Sequence, residues 1–290
     1  MWCGLACCVG SGFDAMDRIR KALDLAREAR GESAKASVES PAESVKTFKG
    51  RTLTRLPELQ YTVTRSFVPP VGLLESNRII DATRASPAAS AFRMLRTQVL
   101  QRMQAHHWRS IAVLSPSSDD GKTTTAINLA ISLANDHRHT VLLVDFDLKR
   151  PSMASKLGIV PEAGADDVLR GTAAVEESLY HPEGFDRLVV MPARTSMDNS
   201  SETLSGSRCR ALVAELHDRY PDRILVFDLP PVLGADDALA FTPLVECALV
   251  VVAEGLTRRE DLLRCMELLN KTPIVGTVLN RATEVVSAYV

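Results

Sequence analysis

One segment limits what this chain can fold into more than any other. Ile111-Ala112-Val113-Leu114 is an apolar run of strand character, Ser115 to Asp120 is a polar loop, and Gly121-Lys122-Thr123-Thr124-Thr125 opens a helical pattern. Backbone N–H groups at a helix N-terminus bind phosphate anions. The loop residues Ser118, Asp119, Asp120 and Gly121, with Thr124, are therefore expected around a nucleotide's phosphates. Lys122 is placed to reach the β and γ phosphates, and the Thr123 hydroxyl to ligate magnesium. Gly121 lets the backbone close tightly on the anion. Pro116 stands where the general pattern has glycine, and Gly-Lys-Thr taken alone also fits an ordinary helix start.

Three later features point to the nucleotide. Val141-Leu142-Leu143-Val144 ends in Asp145-Phe146-Asp147. Carboxylates at i and i+2 leave a strand end on the same face, and two hard oxygen donors beside phosphate suit magnesium. Ile224 to Phe227 is a second apolar strand that delivers one carboxylate, Asp228, at its end, as a Walker B aspartate must be delivered. Finally, the stretch from Lys122 to Asp145 is the length of one helix and one strand. Together these predict a P-loop NTPase with a deviant Walker A motif.

The rest of the chain reads as alternation. Further apolar runs of strand length lie at 187–191, 247–253 and 274–279, separated by helical patterns at about 164–178, 200–219 and 258–270. A helix is also expected from Pro87 to about Gln104. Continuous apolar strands are buried on both faces, which means parallel strands between helices. The expected fold class is α/β, a doubly wound, mostly parallel sheet that binds ligands at the carboxyl ends of its strands. Ahead of it, residues 16–30 form a charged amphipathic pattern with Ile19, Leu23 and Ala26 on one face. Residues 31–70, rich in Ser, Ala, Glu, Lys and Pro, read as a linker. Order is expected from Val71, the catalytic domain to run to 284, and residues 285–290 to be a tail. The first fifteen residues lack the basic start of a signal peptide, and Met16 opens a better beginning, so 1–15 are expected to be a misplaced start, with a lipoprotein signal as the rival.

Composition excludes several classes. A formal net charge of −2 gives no global pull toward nucleic acid. No apolar run approaches a membrane span. The six cysteines form no CxxC pair and no zinc spacing with histidine, which fits free thiols in a reducing compartment. His106 and His107 are expected at the surface.

On these motifs the chain resembles the bacterial tyrosine kinases, above all the cytoplasmic autokinases of exopolysaccharide clusters, from about Leu73 to Asn280. The matching residues are Ser115-Pro116 with Asp120-Gly121-Lys122-Thr123, then Asp145, Asp147, Arg150 and Pro151, then Asp228, Pro230 and Pro231. Segments 164–171 and 201–205 also look like family segments. The resemblance implies ATP, Mg2+ and phosphoryl transfer to tyrosine. Asp145 would deprotonate the tyrosine hydroxyl or hold the metal, Asp147 and Asp228 would complete its shell with Thr123, and Asn280 would sit near the adenine. It also implies a partner, a membrane chain-length co-polymerase whose cytoplasmic segment completes the site, and hence a cytoplasmic chain held at the inner face of the membrane.

Three departures stand out. Asp119 replaces a glycine in the phosphate cradle. The family's Glu-x-x-Arg-x-x-Arg oligomerisation motif appears with Ser90 ahead of Arg93 and Arg96, and the tail holds one tyrosine, Tyr289, as phosphoacceptor. A nucleotide-binding scaffold without kinase output is the second reading. A partition or division-site ATPase is the third, disfavoured because its early loop lysine is Ser117 here.

Overall fold

The computed structural model describes residues 64–81, 84–219 and 222–282, together with the backbone of a strand at Gly4–Cys8. The expected helix at 16–30, most of the linker, Tyr61, Tyr220 and the tail with Tyr289 lie outside the described residues.

Each apolar run becomes a strand packed on both faces. The central strands are β3 (Ser110–Leu114), β4 (Thr140–Asp145), β6 (Leu188–Met191), β7 (Arg223–Asp228), β8 (Cys247–Ala253) and β9 (Ile274–Ala282). With β1 (Gly4–Cys8), β2 (Arg65–Phe67) and β5 (Tyr180–Pro182), they form one sheet in the order β1-β9-β8-β3-β7-β4-β6-β5-β2. From β9 to β6 every neighbouring pair is parallel, while β1 and β5 run antiparallel to β9 and β6.

The period-two alternation of strands divides the apolar residues between two cores. Ile111, Val113, Val141, Leu143, Ile224 and Val226 face one layer, with α2 (Pro87–Ala105) and α3 (Lys122–Ala134) over it. Ala112, Leu114, Leu142, Val144, Leu225 and Phe227 face the other, under α5 (Ala165–Arg170), α6 (Ser200–Ser205), α7 (Ser207–Arg219), α8 (Asp237–Phe241) and α9 (Arg259–Leu268). Each fully buried Leu, Val or Phe contributes roughly 1.5–3 kcal/mol. Two short helices, α1 (Val71–Ser76) and α4 (Met153–Leu157), flank the first layer. The start of α2 has a clear sequence cause. The Ser86 hydroxyl accepts from the Ala89 N–H, and Pro87 follows at the first helical position.

Two expected helices are shorter than their apolar pattern. The helix expected over 164–178 stops at Arg170, because Gly171 adopts a left-handed φ of 79° and caps it; a single 3-10 turn follows at Glu176–Ser178. The helix expected over 200–219 breaks at Gly206, which is extended, into α6 and α7. Strand β2 lies ahead of the expected beginning of order at Val71. It pairs with β5, another three-residue strand that sequence patterning missed.

Candidate nucleotide site

The site forms where three strands end. Register fixes it, since Asp145 of β4 pairs directly with Asp228 of β7, and Asp228 with Val113 of β3. Alternation then decides direction. Phe227 and Phe146 turn into the far core, where their rings stack at 5.5 Å and Phe241 meets Phe146 edge-on at 5.0 Å. Asp145, Asp147 and Asp228 turn the other way, toward the start of α3. Lys122 reaches over from that helix, its Nζ donating to Asp147 at 2.5 Å and lying 3.9 Å from Asp228.

The loop between β3 and α3 is held from several sides. Asp119 takes a left-handed φ of 65°, and Gly121 a φ of 93°. The Asp120 carboxylate is fully buried, accepting the Ser117 N–H at 3.0 Å and the Thr257 hydroxyl at 2.7 Å. Asn280 donates to the Asp120 carbonyl at 2.8 Å and Arg281 to the Asp119 carbonyl at 2.7 Å. The φ of Gly121 favours glycine, and a Cβ there would lie 2.0 Å from the Asn280 amide nitrogen, so it would displace that side chain from the loop it braces. Asn280 therefore braces the loop, besides lining the cleft. Thr257 is the residue that sequence reading missed. Its bond to Asp120 links positions 137 residues apart, and no local pattern announces it.

The cleft over this loop measures about 710 Å³. Ser118, Asp119, Gly121, Lys122, Thr123 and Thr124 line one wall, with Asp147 and Asn280 alongside. Asp145 and Asp228 lie fully buried at the strand ends beneath.

The electrostatics distinguish the three carboxylates. Asp145 accepts the Asp147 and Met153 N–H groups, at 3.2 and 3.1 Å. Burial, and then the nearby Asp228 charge, hold it well above the ordinary aspartate range. Asp147 is taken up by Lys122. Both Asp228 oxygens are buried with no well-formed hydrogen bond, and burial pushes the carboxyl up to about 6 against the pull of Lys122 and of the nearby Thr123 hydroxyl. Lys122 loses solvation on burial, but Asp228 and Asp147 outweigh that and raise its titration.

The residues expected around the metal, Thr123, Asp145, Asp147 and Asp228, meet at the strand ends and the start of α3. Among the described residues, no group of three His, Cys, Asp or Glu side chains converges as metal ligands. Asp145 accepts one backbone amide on each oxygen, and Asp147 accepts Lys122 on Oδ2 and the Arg150 N–H on Oδ1. Asp228, with open lone pairs of hard oxygen in the layer of the Thr123 hydroxyl, fits magnesium. That ion commonly takes one or two carboxylates and fills its octahedron with phosphate oxygens and water.

Two other expectations fall elsewhere. On α2, Arg93 donates to Ser90 at 2.7 Å and Arg96 to the Ser132 carbonyl at 3.0 Å, so both arginines are engaged within the chain. Tyr180 is a core residue whose hydroxyl donates to the Ala163 carbonyl.

A profile of the CobQ/CobB/MinD/ParA nucleotide-binding domain matches residues 111–288. The tyrosine-protein kinase YwqD of Bacillus subtilis is 25% identical over 209 residues, covering 71% of this chain and 86% of its own. The succinoglycan biosynthesis transport protein ExoP of Rhizobium meliloti is 29% identical over 71% of this chain, which spans only 26% of that longer protein. Among solved structures, the VpsO kinase domain superposes with a TM-score of 0.59 at 30% identity, over 65% of this chain and 92% of that one. The chain belongs to the CobQ/CobB/MinD/ParA nucleotide-binding domain family and, within it, to the group of bacterial tyrosine kinases.

Proposed function

We propose that this chain is an ATP- and Mg2+-dependent protein-tyrosine autokinase that regulates exopolysaccharide polymerisation and export. The observation that carries the reading is the meeting of Lys122, Asp147 and Asp228 beneath a braced phosphate loop. In this reading the loop amides and Lys122 hold the triphosphate, and the Lys122 ammonium exchanges Asp147 for phosphate oxygens as nucleotide arrives. That exchange frees Asp147 as a carboxylate facing the transferred group. Thr123 and Asp228 would hold magnesium, which neutralises charge on the phosphates. The tyrosine oxygen attacks the γ-phosphorus, the bond from that phosphorus to the β–γ bridging oxygen breaks, ADP leaves, and the phenolic proton passes to a site carboxylate. Phosphoryl transfer rests mostly on positioning and charge neutralisation, so this set of groups is sufficient.

Asp147 suits the base role better than Asp145 because it lines the cleft: its one accepted amide, from Arg150 at 3.2 Å, falls on Oδ1 and leaves Oδ2 to Lys122, whereas Asp145 accepts an amide on each oxygen and lies fully buried beneath. Tyr289 is the proposed acceptor. The proposed partner is a membrane co-polymerase with an activating cytoplasmic segment, which would keep the chain at the inner face of the membrane. Among the described residues no helix is long and apolar enough to cross a membrane. The name of ExoP, a biosynthesis transport protein, supports the link to polysaccharide.

Incubation with ATP and Mg2+ should yield phosphotyrosine on a blot, and Lys122→Met should remove it. Unlabelled protein, with its co-polymerase present, rejects the kinase. The scaffold reading keeps one observation of its own, the Asp119 carboxylate in the phosphate cradle, and predicts saturable ADP binding without phosphotyrosine.

A further inference from the structure

The cleft does not end at the phosphate loop. It continues to a second wall made of Asn77, Arg78, Arg150, Ser152 and Lys156. This wall is assembled independently of the loop. Asn77 donates its side-chain amide to the Lys156 carbonyl at 3.1 Å, and Asn128 donates to the Arg78 carbonyl at 2.9 Å while accepting the Ile80 N–H. Arg78 itself sits at a left-handed φ of 58°, so the backbone is held in an uncommon conformation where its side chain leaves for the cleft.

Three cations on this wall form no direct ion pair among the described residues, and of them Lys156 feels the opposite charge of the buried Asp228. Arg78, Arg150 and Lys156 make no ion pair and no side-chain hydrogen bond there, whereas Lys149, next along the chain, is 3.0 Å from the buried Asp237. Lys156 is half-buried, close enough to Lys122 and Arg78 for both to repel its charge, with Asp228 pulling the other way. Holding like charges together in a concave, partly desolvated wall costs free energy that an incoming anion recovers. The nucleotide's phosphates already have the loop amides and Lys122. The exposed Arg78, on the segment before α2, lies on an element with no part in that loop.

We propose that Arg78, Lys156 and Arg150 form the acceptor-side docking wall of this cleft and select acidic tyrosine peptides of a second protein, binding Glu or Asp side chains next to the tyrosine that enters it; Tyr289, between Ala288 and Val290, has no acid beside it and is not the segment this wall selects. This rests on the kinase reading above and adds to it the substrate class. Arginine at the rim can meet a carboxylate with two parallel N–H bonds, and the half-buried lysine supplies a point charge deeper in. A bilayer surface does not enter a concave cleft, so peptide is favoured over lipid.

The test is direct binding, which needs no turnover. The full chain is titrated with ADP and Mg2+ present against two labelled tyrosine peptides of equal length, one Glu-rich and one Lys-rich, read by fluorescence anisotropy. The Glu-rich peptide should bind at least ~10-fold more tightly, and raised salt should shrink the difference. Arg78→Glu with Lys156→Gln should abolish the preference while ADP affinity, measured by calorimetry, stays within about 2-fold. Equal binding of the two peptides overturns the proposal. So does a double variant that loses ADP as strongly as peptide, which would place these cations in the nucleotide site. Binding to anionic vesicles without binding to the acidic peptide also overturns it. If the peptide preference holds but no phosphotyrosine ever forms, the kinase reading fails and the docking wall stands.

Discussion

Asp228 concentrates the conflict between stability and function at a single residue. It is fully buried, with no well-formed hydrogen bond and with the Lys122 ammonium 3.9 Å away. A carboxyl pushed up to about 6 from an ordinary 3.8 holds its proton more tightly in the folded protein than in the unfolded chain. Its contribution to stability is therefore full below pH 3.8 and is lost as pH rises through about 6. Asp228→Asn mimics the protonated form. In the absence of nucleotide and magnesium it should raise the stability near neutral pH by about 1–3 kcal/mol, with the gain fading as the pH falls to about 4. The same substitution should remove the Mg2+ dependence of nucleotide binding. Urea unfolding at both pH values, with calorimetric ADP titration, checks the pair of effects. A variant less stable than the parent near neutral pH would refute the account.

Among the secondary-structure elements, the phosphate loop belongs as much to the far side of the sheet as to its own strand and helix. The loop before α9 supplies Thr257, and the end of β9 supplies Asn280 and Arg281. Thr257 also accepts the Ala253 N–H at 2.7 Å, so one hydroxyl ties the end of β8 to the Asp120 carboxylate. Thr257→Val keeps the shape and deletes both bonds, leaving a buried carboxylate short of a donor. It should lower stability by about 1–3 kcal/mol. A loop released from this tie should also bind ADP more weakly, and added ADP should then raise the melting temperature less than it does in the parent. An unchanged ADP-induced shift would show that the tie does not position the loop.

For the protein as a whole, α2 is the helix on which assembly is tested. Arg93 and Arg96 lie on α2 with internal partners, and Arg93 donates to the hydroxyl of Ser90 one turn earlier. Ser90→Glu introduces a carboxylate that an arginine of a neighbouring copy would meet if α2 is an association surface. Light scattering after size exclusion should show a larger average mass for Ser90→Glu than for the parent. Equal masses would count against this helix as the association surface, with the introduced carboxylate then paired to Arg93 of its own chain, one helical turn away.

Local patterning was enough to specify the sheet and the direction of its key side chains. Apolar strands of full length, such as Val141–Asp145, Ile224–Asp228 and Cys247–Ala253, carry their period and their burial in their own residues. The i, i+2 spacing of Asp145 and Asp147 likewise set a common face before any contact was known. Short elements were not legible. Strands β2 and β5 are edge pieces of three residues held by backbone pairing, and α1, α4 and α8 are too short to show a helical period. The termination of α5 was written in Gly171, but a glycine reads as a stop only where its φ turns positive. Long-range packing, by contrast, set the division of labour among the carboxylates. Backbone amides engage both oxygens of Asp145, the lysine and one amide engage Asp147, and Asp228 is left buried with the lysine ammonium at longer range. These states depend on residues brought together from distant parts of the chain, because lone pairs are filled by neighbours in space and not by neighbours in sequence.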